Sequence, residues 1–235
     1  MEFEDICLLL AFLQEADIPV CVVGEFALNY YNAPRIVHDL ELCVRVNDLK
    51  AAASIFESKK ALLEKADEID HNLYTEYKRG FPRFRFRSEP SFCIVLFTDQ
   101  YCHLDPLHEH VVSHQEHQDA KEYSQEILDS VSADQIAALP LPRFAPLFLG
   151  FCRTYIETQE VTAAIAAELL VDGMNIDGEW CRTHFHSPQS DELNFALRLV
   201  RGKRSRIADF SLNEVTCFIA DHQEAQRIRK IPGFS

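Results

Sequence analysis

Long apolar runs are missing from this chain. No stretch of about 18 apolar residues occurs among its 235 residues, so no membrane-spanning helix is expected. Paired cysteines are missing too. The eight cysteines stand singly, with no C-x-x-C pair, which favours reduced, mostly buried thiols over a disulfide scaffold or a zinc ribbon. A surplus of positive charge is absent: 37 acidic residues face 23 basic ones, a net charge of −14, which argues against a nonspecific nucleic-acid binder. The first residues, Met1-Glu2-Phe3-Glu4-Asp5, lack the basic flank of a signal peptide, and a cytoplasmic location is expected. No internal repeat or low-complexity linker divides the chain.

What is present describes an ordinary globular protein of one or two domains, 47% apolar and 26% charged. The most informative stretch runs from Pro19 to Val44. Val20-Cys21-Val22-Val23 reads as a buried strand. Gly24 breaks it, and Glu25 to Tyr31 has apolar residues at helical spacing. Asn32-Ala33-Pro34 is loop chemistry. A second, alternating strand follows, with Asp39 and Glu41 on one face and Leu40, Leu42 and Val44 on the other. Two carboxylates two residues apart project side by side and repel, so they persist where a cation neutralises them, whether a divalent metal, an arginine or a lysine; the plain alternative is a half-buried edge strand with its polar face in water.

This order of strand, Gly, short helix, loop and D-h-E-h resembles the nucleotidyltransferase superfamily, the DNA polymerase β-like fold. The likeness spans about the first 105 residues. Gly24 stands for the family's first glycine, and Asp39-Leu40-Glu41-Leu42 for its carboxylate motif. Two departures bear on chemistry. Glu25 stands where the family carries a small residue beside the triphosphate, and it would repel phosphate. The strand Phe92–Phe97 carries no third carboxylate; Asp99 and Asp105 lie at or beyond its end. The resemblance implies an α/β fold, a nucleotidyltransferase-like mixed sheet with flanking helices, taken over residues 1–120; beyond it the residue pattern turns all-helical and reads as a C-terminal helical domain over residues 121–235. The cleft between two such domains is the default ligand site.

The remaining pattern supplies the other elements. Residues 3–16 read as an amphipathic helix with Ile6, Leu9, Leu10 and Leu13 inward. Asn47 or Asp48 is expected to cap a long helix reaching about Ala66. Residues 81–87 alternate as a strand, with Phe84 and Phe86 buried and Arg83, Arg85 and Arg87 on the opposite face. That face would lie near Asp39 and Glu41 or meet an anionic ligand. Of five histidines between 103 and 117, His110, His114 and His117 share a helical face at a metal-ligand spacing. Nothing completes a familiar metal pattern there, and a solvated polar segment is expected. Ser132 to Gln135 and Ser211 to Glu214 are capping boxes. Helices are expected over 160–171, stopped by a left-handed Gly173, and over 177–185, 188–200 and 211–228.

Thirteen of the 23 Lys and Arg fall in three clusters: 78–87, 198–206 and 227–230. Clustered cations on an acidic protein suggest an anion-binding surface, with a solvated face balancing nearby acids as the plain alternative.

The string V-G-E-x-A-L-N-Y-Y-N-x-P-R-x-V-H-D-L-E-L-C-V, with L-P-R-F-A-P-L and L-V-D-G-M-N-I-D-x-x-W, resembles small fungal proteins, the arginine-containing cyclodipeptide synthases of secondary metabolism. The resemblance implies a transferase that takes aminoacyl groups from charged tRNA, arginyl-tRNA among them, and needs no cofactor. On that reading Lys78, Arg79, Arg201, Lys203, Arg204 and Arg206 would track RNA. Glu25, Asp39 and Glu41 would clasp a guanidinium, whose planar fork suits carboxylates. His38 would shuttle a proton. Gly24, Arg83, Arg85, Arg87 and Asp99 would line the substrate site. A covalent intermediate would need a nucleophile, with Cys21, Cys43, Ser91 and Cys93 all open. No DNA or membrane partner is expected. The alternative is nucleotidyl transfer from NTP, with Asp39 and Glu41 holding Mg²⁺, Asp99 or Asp105 as third ligand and the arginine hairpin neutralising phosphate. A third reading is a non-catalytic binding module on the same fold.

Overall fold

β-Branched and apolar residues in short runs set the centre of the fold. The computed structural model describes residues 3–33, 35–67, 72–112, 132–185 and 190–209. Five strands among these residues form one mixed sheet: β1 (Val20–Val23), β2 (Asp39–Val44), β3 (Leu63–Lys65), β4 (Arg83–Phe86) and β5 (Cys93–Thr98), in the order β1-β2-β5-β4-β3. β2 and β5 run parallel; every other pair is antiparallel. Flanking helices and a helical second half complete the α/β architecture expected from the sequence.

Register decides which side chains share a face. Val23, Glu41, Val95 and Arg83 form one rung across β1, β2, β5 and β4. Asp39, Cys93, Arg85 and Glu64 form the next. Because strand side chains alternate, both rungs point to the same side of the sheet. The opposite side carries Leu40, Leu42, Ile94, Leu96, Phe84 and Phe86, all buried. The helices α1 (Phe3–Gln14) and α3 (Leu49–Ser58) cover that apolar side. α1 turns Ile6, Leu9, Leu10 and Leu13 inward, as its periodicity predicts. Phe56 of α3 meets Phe84 edge-on, with ring centroids 5.4 Å apart. On the carboxylate side, Cys21, Val23, Cys43, Val95 and Phe97 pack with Leu104 and Leu107 beside Tyr77, Phe81 and Tyr101.

The chain divides into two compact units. One comprises residues 1–27, 36–118 and 134–147 and holds the whole sheet. It also holds α4 (Leu107–His110) and all but the first residue of α5 (Ala133–Ala137). The other comprises residues 28–35, 119–133 and 148–235. The chain passes between them within α2 (Gly24–Tyr30) and again within α6 (Phe144–Thr158). In the second unit, α7 (Val161–Gly173), α8 (Gly178–His184) and α9 (Asp191–Asp209) pack with the rest of α6. Phe148 sits edge-on to Trp180 and Phe185, and Tyr155 stacks on Phe195. Asp177 caps α8 by accepting the Trp180 N–H at 2.8 Å.

Three local expectations are corrected. The helix expected to reach Ala66 ends at Ser58. Leu63 instead enters an edge strand opposite Phe86, where it is buried, because pairing with β4 also satisfies its backbone. Asp48 makes no side-chain cap to α3; its carboxylate holds Arg45 at 2.5 Å. Gly173 is not a left-handed stop but the last residue of α7. A Cβ there would overlap the Asn32 carbonyl oxygen, so the glycine serves a close backbone approach. The second capping box, at 211–214, and His114 and His117 lie outside the described residues.

Candidate functional site

β2 delivers Asp39 and Glu41 side by side at one end of the sheet, as the alternation requires. The cation that neutralises them is Lys78. It comes from a short 3-10 turn, Glu76–Lys78, and is only 5% exposed. Its Nζ lies 2.7 Å from Asp39 Oδ2 and 3.0 Å from Glu41 Oε1. The Tyr77 hydroxyl donates to Glu41 Oε1 at 2.5 Å, and the Cys93 N–H donates to Asp39 Oδ1 at 3.2 Å. Gly24 completes the packing. With φ at +65° it adopts a backbone that other residues resist, and a Cβ on it would overlap the Glu41 carboxylate.

The energetics follow from burial. Burial pushes the Glu41 carboxyl up, and the pull of Lys78 and Tyr77 only partly offsets this, so the group stays above the usual carboxylate range. Burial by itself would lower the Lys78 ammonium, but Glu41 and Asp39 outweigh it and hold the group above its ordinary value. Burial, then the Glu41 charge, raises Tyr77 far above a free phenol, which keeps it a neutral donor.

Beside this cluster, Glu25 grips His38 twice. Its Oε2 accepts the His38 backbone N–H at 2.6 Å, and its Oε1 lies 3.0 Å from Nδ1. The imidazole itself is turned outward, its side chain 65% exposed. With Nδ1–H donating to Glu25, the Nε2 edge is left as a proton acceptor. The Glu25 charge also reaches Glu41, raising it further. Three carboxylates therefore face one buried ammonium and one titratable imidazole, and the local charge stays negative.

This donor set does not fit a two-metal centre. Magnesium requires carboxylate oxygens free for near-octahedral coordination. Here Lys78 takes an oxygen from each carboxylate, and the residues of β5 in register with Asp39 and Glu41 are Cys93 and Val95. Asp99 does not come to the pair. It sits past the far end of β5, accepting the Val46 and Gln100 N–H groups at 2.9 Å each, a turn-closing role. Among the described residues, no group of three or more His, Cys, Asp or Glu is placed to hold a metal.

The other predicted residues divide sharply. Arg85 and Arg87 pair with Glu64 on the sheet edge, at 2.6 and 3.0 Å. Arg83 lies on the expected face, but that face is not open there; the residue is 6% exposed. The expected RNA track is corrected at several points, because neighbouring acids and carbonyls already engage its cations. Lys78 is buried as described. Lys203, 4% exposed, donates to Asn175 Oδ1 and the Ile176 carbonyl. Arg206 grips Asp172 at 2.7 Å and Glu168 at 3.2 Å. Arg79 pairs with Glu76 on the surface, and Arg201 lies exposed with Nε donating to the Leu197 carbonyl. The side chain of Arg204 lies outside the described residues. Among the nucleophile candidates, Cys21 and Cys43 are buried and burial pushes their thiols well up. The Ser91 hydroxyl donates to Glu89 in an exposed turn, and Cys93 is half-buried.

Tyr77 and the true role of Lys78 escaped the sequence reading, since residues 67–77 carry no clear periodicity. The available signal was the carboxylate pair itself, which demanded a cation. No model of a protein family matches the chain, and no curated protein matches it. Among solved structures, the chain is similar to the solution structure of the antibiotic-resistance factor ANT(2'')-Ia. The two share 11% identity over 90% of this chain and 97% of that one, with a TM-score of 0.43.

Proposed function

We propose that this protein is a metal-independent, tRNA-dependent aminoacyl transferase that forms an arginine-containing cyclic dipeptide. The observation that carries this reading is the Lys78 ammonium seated between Asp39 and Glu41. It supports a site that holds organic cations and disfavours NTP chemistry, because the remaining negative field repels a triphosphate. The same field suits the guanidinium and α-ammonium groups of an arginyl ester.

In this reaction the α-amine of one aminoacyl group is acylated by another. A C–N bond forms, the ester C–O bond breaks, and one tRNA ribose hydroxyl leaves; the α-amine of the transferred residue then attacks the remaining ester, so a second C–N bond closes the ring and the second tRNA hydroxyl leaves. The attacking ammonium must first lose a proton. His38 takes it at Nε2, while Glu25 holds Nδ1–H and stabilises the imidazolium that forms. The proton then passes to the leaving oxygen. Glu25 also attracts the substrate cation. Asp39, Glu41, Lys78 and Tyr77 form the rigid, mutually satisfied floor behind it.

The test uses the purified chain with arginyl-tRNA and a mixture of other aminoacyl-tRNAs, read by mass spectrometry. A cyclic arginyl dipeptide whose yield falls about 100-fold in His38→Gln supports the reading, a loss typical of a missing general base. No dipeptide, with labelled NTP incorporated in the presence of Mg²⁺, overturns it.

A further inference from the structure

Arg83 is a buried cation that the reading above leaves without a task. It is 6% exposed, and its Nε and Nη1 are buried without a hydrogen-bond partner. Its Nη2 reaches Sγ of Cys93 at 3.5 Å. No ion pair between Arg83 and a carboxylate exists among the described residues. A guanidinium keeps its charge at any physiological pH, so a buried one stabilises negative charge on whatever faces it. Here a sulfur faces it.

That sulfur is suitably placed. Cys93 opens β5 in register with Asp39, and its N–H donates to the Asp39 carboxylate. It is half-buried, whereas Cys21, Cys43, Cys152 and Cys181 are buried. Register puts it on the same side of the sheet as Asp39 and Glu41.

Resting on the aminoacyl-transfer reading, we propose that Cys93 is the nucleophile that accepts the aminoacyl group as a thioester, with Arg83 as the residue that positions and pairs its sulfur. The thiolate attacks the ester carbonyl carbon of aminoacyl-tRNA. A C–S bond forms, the C–O bond breaks, and the tRNA hydroxyl leaves carrying the proton that the thiol released. The α-amine of a second aminoacyl group then attacks the thioester. A C–N bond forms, the C–S bond breaks, the thiolate returns, and His38 takes the proton lost by the amine; the transferred residue's own α-amine then attacks the remaining ester, a second C–N bond closes the ring, and the second tRNA hydroxyl leaves with a proton. No oxidant or reductant enters either step.

Two measurements test this. In the first, the full chain is mixed with arginyl-tRNA, quenched in acid and mapped by mass spectrometry. One arginyl group on Cys93, absent from Cys93→Ser, supports the proposal. Undiminished cyclic dipeptide from Cys93→Ala overturns it while leaving aminoacyl transfer intact. The second measurement needs no tRNA. Iodoacetamide labelling at neutral pH, resolved by cysteine, should modify Cys93 about tenfold faster than the half-buried Cys7 and Cys102. Arg83→Met should slow that labelling about tenfold, with Arg83→Lys restoring most of the rate. Protection of buried Cys21 reports that each variant is folded, and if Arg83→Met exposes it, the Arg83→Lys labelling rate decides. Labelling of Cys93 no faster than Cys7 overturns the proposal. If the unaltered protein makes no dipeptide, aminoacyl transfer fails. Fast, Arg83-dependent labelling then still supports Cys93 as a paired, reactive thiol.

Discussion

At the scale of single residues, Lys78 sets the character of the site. Removing its charge leaves two carboxylates facing each other, one of them in Glu41, which is 5% exposed. Lys78→Met should cost about 3–5 kcal/mol at neutral pH, the usual penalty for breaking a buried pair. Urea unfolding measures it. Glu41 titrates above the usual carboxylate range when folded, so the folded state binds its proton more tightly than the unfolded chain does. The deficit of Lys78→Met should therefore shrink as pH falls through that raised value. Lys78 runs the other way in the unaltered protein. Its folded value is raised, so its contribution is fully present below the ordinary lysine range and is lost only as pH climbs above it. A second residue-scale prediction concerns Gly24. Gly24→Ala should cost at least about 1–2 kcal/mol from the left-handed backbone, and displacement of Glu41 adds to that. Thermal unfolding would show it.

At the scale of elements, β4 shows how one alternating strand serves two environments. Phe84 is 1% exposed and meets Phe56, so Phe84→Ala should cost about 3–5 kcal/mol. Arg85 faces the other side, a third exposed, paired with Glu64 at the sheet edge. Arg85→Ala should cost less than about 1 kcal/mol, as partly solvated pairs do. Chemical denaturation of both variants tests the contrast. The strand's alternation was legible in Phe81–Arg87, and so was the face of each side chain. That Arg83 would be buried and Arg85 only half-buried was not legible. It depends on what packs over each rung, which the pattern of one strand does not contain. The same limit explains β3. Leu62-Leu63 continues the apolar stripe of α3, and only the availability of β4 as a pairing partner turns Leu63 into a strand residue.

At the scale of the molecule, the net charge of −14 and the internal pairing of its cations bear on how RNA would be held. Lys78, Lys203 and Arg206 are spent on neighbouring acids and carbonyls. Recognition under the proposed function therefore rests on the aminoacyl end of the tRNA more than on its phosphates. Affinity for arginyl-tRNA should fall only about tenfold between 50 and 200 mM salt, the slope of one or two phosphate contacts. Filter binding across that range checks it, and a slope several times steeper would restore a basic track. Product formation, on the same reading, should be unchanged by a chelator.

Apolar periodicity and turn chemistry are local properties, so the order of elements through the carboxylate strand can be read from the residues alone. The residues likewise place Asp39 and Glu41 on one face, where a cation would answer their repulsion. Only the tertiary structure decided which cation. Lys78 lies 37 residues beyond Glu41 in a stretch without periodicity, and a 3-10 turn brings its amine to both carboxylates. Tertiary structure likewise set Arg83 against Cys93, its guanidinium reaching diagonally from the neighbouring rung of β4 and β5. A strand's pattern states what it needs to bury or neutralise; the partner that meets the need is set by how distant segments pair.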